Sequence, residues 1–468
     1  MKRDWWDKNP SLIIFPKMNI LKHDIKEDEV NTIENFFKEF YFSLSEYFRH
    51  LGSEIIIYNK DSLIFKNGIN LPYGIILNPV LLGNLPENII NSKNNNFSKV
   101  LRDEIPEVYP PFAISIGRDL LNISPVPHPN FINVIFIRDE NNFIINLPYE
   151  KKINLFRIFM AKLGAFKNII ITYSLKNKIL TNYSFILSTL EGGCPILKDI
   201  NELGRRLRIF GSCKEVGGYL RKEVIIPQEE WKRSSAVNSI INIGRFLGDK
   251  NLLSPPVSIS DLVKGEKLSK FITTILSYSR QAEGAFMAYD SILKLFVVTA
   301  SGKYNVDKAN LSYKDLVPVY PTSDGKVEVY QIEGIDVKGP SVEAEEFTLP
   351  LKELMKEYPP IIGIIHIHRG IEYYDSEEIV EIPQDLETYP PVGCGVDLMH
   401  AMSKYAMINA VKEKEKKPNI KIAVFSVPNH GTNIYSFYED NIINDPFFYI
   451  KKFINEGKLK FRFDVPQV

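Results

Sequence analysis

Cysteine is scarce in this chain: Cys194, Cys213 and Cys394 are the only three, and no two of them form a CxxC pair. That excludes a disulfide framework and a thiolate metal site, and it suits a reducing, cytoplasmic compartment. Long apolar runs are also missing. No stretch approaches the roughly eighteen uninterrupted apolar residues of a membrane span. The opening MKRDWWDKNP has no apolar core followed by small residues, so no secretory signal is expected. Neither charge is in excess, since Lys+Arg and Asp+Glu both total 57. No basic run is interleaved with aromatics, so nucleic acid and anionic membranes are not expected partners. Internal repeats and low-complexity tails are lacking too. What remains is an ordinary globular composition, 44% hydrophobic and 24% charged. At 468 residues the chain is too long for one core, which points to two domains.

Residues 1–200 alternate helical and extended patterns. The segment 29–51 spaces apolar residues three and four apart, as an amphipathic helix does. Segments 73–83, 133–140 and 167–174 are short β-branched runs of the kind found in buried parallel strands. Between the last two, 151–164 reads as a helix ended by a glycine, which predicts a βαβ unit and an α/β domain. From 191 to 230 the pattern is broken by EGG, FGSC and VGG, and the domain boundary is expected there, with a linker over 201–229. Beyond it, 234–249 is a second amphipathic helix, and 254–270 reads as an inserted loop and short helix. Strands are predicted at 284–290, 294–302, 314–321, 326–334, 361–368, 421–428 and 460–465, with helices at 347–358 and 396–417.

The chemistry-bearing pattern is His366-Ile367-His368, which closes the apolar run PPIIGII. Side chains two apart on a strand share a face, so both imidazoles can reach one ion. A third ligand from another strand end fits VFSVPNHG, which supplies His430, with Gly431 expected to let the backbone turn tightly. Three protein nitrogens and one open position is the donor set of a catalytic metal site. The bland alternative is a pair of histidines with ordinary hydrogen-bond partners at a strand end. His400 falls inside a helical pattern, as a packed or capped residue would. His23, His50 and His128 have no metal-like company.

Residues 230–468 resemble the class II aldolase/adducin family through an ordered series of motifs. The opening helix is NSIINIGRFLGDKNLL (238–253), and EGAFMAYD (283–290) stands where the family has its GN-containing strand. TASG (299–302) stands for a TPSG-like turn and is followed by NLSYKDLVPV (310–319). PSVE (340–343) stands for PSSE, HIH (366–368) for HTH, and NHG occurs unchanged at 429–431. The resemblance implies a class II aldolase-like α/β/α domain and a metal-dependent enzyme. His366, His368 and His430 would bind Zn²⁺ or another divalent ion. That ion would coordinate a ketose phosphate and stabilise the enediolate formed on C–C cleavage or proton abstraction. Glu343 would be the base, and Thr299, Ser301, Gly302 and Ser341 would hold the phosphate.

Two departures bear on this. Gly284-Ala285 replaces the GN dipeptide, removing an asparagine that helps hold the phosphate. The segment between PSVE and HIH is longer than usual, which leaves Glu345 or Glu346 as alternatives to Glu343. The implied function is a lyase for a phosphorylated sugar, by aldol cleavage or the related dehydration or epimerisation. The alternative is a non-catalytic, adducin-like binding or interaction protein. A homo-oligomer is implied as well, with a tyrosine such as Tyr373, Tyr374 or Tyr389 completing a neighbour's site.

Residues 70–180 resemble the purine nucleoside phosphorylases, in YGIILNPVLLGNL, DEIPEVYP and FRIFMAKLGAFKNIIITYSLKN. The chemical residues are absent. Asn78-Pro79-Val80 replaces the phosphate-binding GSG, IRDENN replaces the GR-x-H strand, and Tyr173 replaces an asparagine. A proline there removes both flexibility and an N–H donor. The expectation is a degenerate phosphorylase-like α/β domain over 1–200, without phosphorolysis, joined to the aldolase-like domain over 230–468.

Overall fold

A computed structural model of the chain describes residues 219–253, 284–301, 308–322, 325–375, 377–385, 396–427 and 430–462. Before these it describes 13–14, 19–20, 54–56, 75–77, 112–117, 132–139, 167–176, 179–189, 196–197, 199–203 and the single positions 32, 35, 36, 39, 43 and 146. The chain divides into two compact units, Met1–Glu215 with Val392–Gly395, and Val216–Pro391 with Val396–Val468.

The described strands of the first unit are β1 (Ile13–Ile14), β2 (Asn19–Ile20), β3 (Glu54–Ile56), β4 (Ile75–Leu77), β5 (Phe112–Gly117), β6 (Ile132–Arg138), β7 (Lys167–Lys176), β8 (Ile179–Thr189) and β9 (Ile196–Leu197). Six of them form a sheet in the order β2-β5-β6-β7-β8-β9, parallel as far as β7 and antiparallel after it. β6 and β7 lie side by side in parallel, which needs a crossover connection between them. The helix expected at 151–164, the segment 254–270 and the Asn78-Pro79-Val80 turn all lie outside the described residues. Ile169, Ile170, Ile171, Tyr173 and Phe185 are buried in this sheet. In the segment 29–51 the described positions are helical, with Asn35 and Glu39 exposed and Thr32 and Phe36 half-buried.

The second unit is built on one mixed sheet. Its strands are β10 (Tyr219–Ile226), β11 (Ala285–Asp290), β12 (Leu295–Thr299), β13 (Leu316–Pro321), β14 (Val327–Ile332), β15 (Ile361–Ile367), β17 (Ile379–Glu381), β18 (Ile422–Val427) and β19 (Gly431–Phe437), while β16 (Gly370–Tyr374) pairs apart with β20 (Leu459–Arg462). The order is β10-β14-β13-β12-β11-β15-β19-β18-β17, antiparallel except for the two outermost pairs. Every residue of β11, β12, β15, β18 and β19 is buried, so both faces of the sheet's centre are covered. Residues 219–229, expected in the linker, instead contribute the edge strand β10 and the start of a helix. β10 pairs with β14 far along the chain, so no local pattern announces it.

Five described helices accompany the sheet: α1 (Gln228–Arg233), α2 (Ser235–Asp249), α3 (Glu343–Leu354), α4 (Val396–Lys416) and α5 (Phe448–Asn455). None of the described helices is long and apolar enough to cross a membrane. α2 begins where the sequence predicts, because Ser234 caps it. Its hydroxyl accepts from Val237 N–H at 3.1 Å and donates to Asp290 Oδ2 at 2.6 Å, tying the helix start to the end of β11. Further along, Gly244 lets residues Lys308–Asn310 press against the helix. A side chain there would collide with the Lys308 carbonyl oxygen.

Candidate metal centre

β15 lies next to the central strand β11, and His366 near its end and His368 just past it carry the imidazoles. On one side Ala285 of β11 lies opposite His366; on the other, Asn433 of β19 does. The ends of β12 and β15 and the beginnings of β11 and β19 therefore meet at one end of the sheet. Two glycines allow the strands to close in. Gly284, at φ +78°, abuts the His366 carbonyl, and any Cβ would collide with it. Gly431 abuts the Ile367 carbonyl, and a Cβ there would also lie 3.1 Å from His366 Cε1. The expected tight turn at Gly431 is not its role, since its φ is not positive. Glycine is required for close approach.

His366, His368 and His430 converge. Their ring centroids are 5.0 Å apart for His366 and His368, and 4.8 Å apart for both other pairs. One nitrogen from each ring lies within 4.8 Å of the others. His366 and His430 are buried and His368 is half-buried. His366 Nδ1 is hydrogen-bonded to Asn433 Oδ1 at 2.7 Å. Two buried ring nitrogens, His366 Nε2 and His430 Nδ1, have no protein partner. Nitrogens on one Zn²⁺ at about 2.0–2.1 Å lie within about 4.2 Å of each other, so the three rings would draw together to hold the ion. Unpartnered buried lone pairs in a cluster of neutral donors are what a divalent cation satisfies. His400 lies in α4, outside the cluster.

Burial holds His430 well below the ordinary imidazole range, and the neighbouring His366 and His368 add to the effect. Burial also lowers His366. Glu343 and Asn433 pull it upward, and Lys308 pushes it further down. Both rings are thus neutral near pH 7 and have a lone pair to give. In the unfolded chain these imidazoles take protons below about pH 6.5. The folded chain resists, so the unfolded state binds more protons there. The stability they confer is complete above about pH 6.5 and is lost as pH falls toward the lower folded values. Thermal melts of metal-free protein should show a midpoint that declines from about pH 7 to about pH 5. A flat profile would contradict buried, neutral imidazoles.

The TASG and PSVE motifs lie against each other. Ser341 N–H donates to the Thr299 carbonyl and Ser301 N–H to the Gly339 carbonyl, both at 2.9 Å, with Ala300 bridging Pro340. This ladder delivers Glu343, the first residue of α3, to His366, whose proton affinity it raises. The Ser341 hydroxyl donates to Glu343 Oε2. Glu343 and Glu346 are both buried, whereas Glu345 is half-buried. Desolvation pushes Tyr435, a fully buried phenol, well above its usual value, and the charge of Glu346 adds to this.

Thr299 is sealed from solvent, and its hydroxyl accepts from Phe286 N–H at 3.2 Å. Because Val298 faces Met287 and His366 faces Ala285, strand alternation puts Thr299 and His366 on opposite faces. Ser301 is half-buried at the end of the described segment, and Gly302 and Tyr389 lie outside the described residues. Tyr373 is exposed and Tyr374 half-buried on β16. Two residues near the histidines carry no sequence expectation. Asn433 is an amide in a fully buried strand, which flags a partner. Lys308 is a buried lysine whose charge reaches His366, and nothing local in the sequence marks it.

No known protein-family profile matches the chain, and no curated protein matches it either. Among solved structures, an L-fuculose 1-phosphate aldolase aligns with 48% of this chain and 87% of its own, at 16% identity and a TM-score of 0.25. A likeness that distant says nothing here of substrate or chemistry.

Proposed function

We propose that His366, His368 and His430 hold one divalent ion, Zn²⁺ or a similar metal, and that the chain is a metal-dependent lyase for a phosphorylated sugar. The reaction would be aldol cleavage or the related dehydration or epimerisation. One observation carries this reading: three imidazoles meet at one point, with two buried ring nitrogens unpartnered. An unsatisfied buried polar atom costs about 1–3 kcal/mol, and a bound cation relieves that cost. The ordered motifs of residues 230–468 supply the substrate class.

When bound, the ion would polarise the substrate carbonyl and stabilise the negative charge that develops on its oxygen. The chain's own part falls to Glu343. Fixed by the Ser341 hydroxyl beside His366, it would take a proton from the carbon next to the carbonyl. In cleavage it would instead take the proton of the hydroxyl on the carbon that leaves as an aldehyde, and return it to the carbon that keeps the electron pair of the broken C–C bond. Ser301 and Gly302 are the phosphate-holding groups in this reading, whereas Ser341, whose hydroxyl donates to Glu343 and whose N–H donates to the Thr299 carbonyl, could join them only by releasing Glu343. Thr299 contributes by anchoring Ser341 through its carbonyl, since its own hydroxyl serves the β11–β12 junction.

Purified protein should carry about one divalent ion per chain. It should release an aldehyde from at least one member of a panel of ketose 1-phosphates, lose that activity to a chelator and regain it with Zn²⁺. A metal-replete protein inert toward the whole panel would reject the lyase and leave the binding-protein alternative. Protein with no metal, and none taken up on addition, would reject the site itself.

A further inference from the structure

We propose that Asn433 is the positioning residue that decides which ring nitrogen His366 presents to the site. The inference rests on reading the three imidazoles as metal ligands. Asn433 lies directly opposite His366 in the β15–β19 register, and both side chains are buried. The amide is oriented from behind, where its Nδ2 donates to the Tyr435 hydroxyl at 3.2 Å. Its Oδ1 faces His366 Nδ1, 2.7 Å away. A carbonyl oxygen only accepts, so the hydrogen of this bond belongs to the imidazole. A neutral ring has one such hydrogen. With Nδ1 protonated, the lone pair is on Nε2, the very nitrogen that is buried without a protein partner.

The opposite tautomer would aim an N–H from Nε2 into the cluster, where a cation needs a lone pair. Asn433 thus acts on His366 in two ways. It holds the ring's rotation, and it makes Nε2 a better donor through the bond at the far nitrogen. Tyr435 takes part by holding the amide in place from the other side. Nothing in this arrangement requires Asn433 to touch an ion or a substrate.

The test uses the full chain, labelled with ¹⁵N-histidine and stripped of metal, with the His366 signals identified by their loss in His366→Gln. Wild type is expected to show a protonated Nδ1 and an unprotonated Nε2 at His366. A spectrum with those assignments reversed would overturn the proposal. Asn433→Leu keeps the volume without the acceptor. It should lose the fixed tautomer and bind Zn²⁺ roughly 10–100-fold more weakly in competition with a chelating dye, the usual cost of removing such a partner. Asn433→Asp restores an acceptor and should recover both the tautomer and the affinity. A leucine variant with wild-type affinity and tautomer, or an aspartate variant as weak as the leucine one, would sink the idea. If the leucine variant does not fold, the wild-type spectrum and the aspartate variant decide the matter. A wild type with the expected tautomer that takes up no Zn²⁺ would end the metal reading but leave the role of Asn433 intact.

Discussion

Glu343→Gln is expected to lower turnover of a ketose phosphate by roughly 10²–10⁴-fold, the usual contribution of a positioned base, while Zn²⁺ content stays nearly unchanged. Glutamine has nearly the same volume, and its amide oxygen can still accept from the Ser341 hydroxyl that holds Glu343 now. The start of α3 should therefore keep its place, and only the capacity to take a proton is removed. Glu346→Gln is the necessary comparison. It is buried one turn further along α3, and its charge is felt at Tyr435. Its replacement should alter thermal stability more than turnover. An inert Glu346→Gln beside an active Glu343→Gln would mean that the base has been assigned to the wrong carboxylate.

His368→Ala should weaken Zn²⁺ binding by roughly 10²–10³-fold. Structural zinc sites with four ligands are worth about 10–16 kcal/mol, or roughly 2.5–4 kcal/mol per ligand, and each 1.4 kcal/mol is about tenfold. His368 suits the experiment because it is half-buried at the strand's end, just past β15. Truncation there leaves a smaller packing defect than at His366, so lost affinity can be separated from lost fold. His400→Ala, within α4 and outside the cluster, serves as the control and should bind as the wild type does. A His368→Ala protein with full metal content after dialysis would remove His368 from the ligand set.

Elements whose apolar period matches their burial were legible from the chain alone. The strand expected at 361–368 is Ile361–Ile367, and the helix expected at 234–249 is Ser235–Asp249. The helix expected at 396–417 is Val396–Lys416. Elements defined by distant partners were not legible. β10 sits among glycine-rich breaks and is recognisable as a strand only through its pairing with β14. β19, with the sequence GTNIYSF, mixes polar and apolar residues on both faces, all buried, so alternation fails as a guide. α3 begins at Glu343, four residues before the expected start at 347, because its first turn is acidic and Pro350 interrupts the pattern. At the site, the histidine spacing was readable because HxH and NHG are local. The orienting amide at Asn433, the buried charge of Lys308 and the close approach at Gly431 depend on which strand lies beside which, and spacing along one strand does not encode that.

The position of β15 has a kinetic consequence. β15 lies between β11, well before it in the chain, and β19, well after it. His366 and His368 are neighbours in any conformation and can share an ion weakly even in an unfolded chain. His430 joins them only once the 62-residue interval from His368 to His430 (430 − 368) has closed into a loop and β19 has zipped onto β15. Closing such a loop costs conformational entropy that grows with the logarithm of its length, and long-range antiparallel pairing is slow to nucleate. An ion held as proposed would act as a clasp on the long-range seam between β15 and β19. Because it would bind the closed chain far better than the open one, it would slow the separation of β15 from β19 more than the opening of a hairpin.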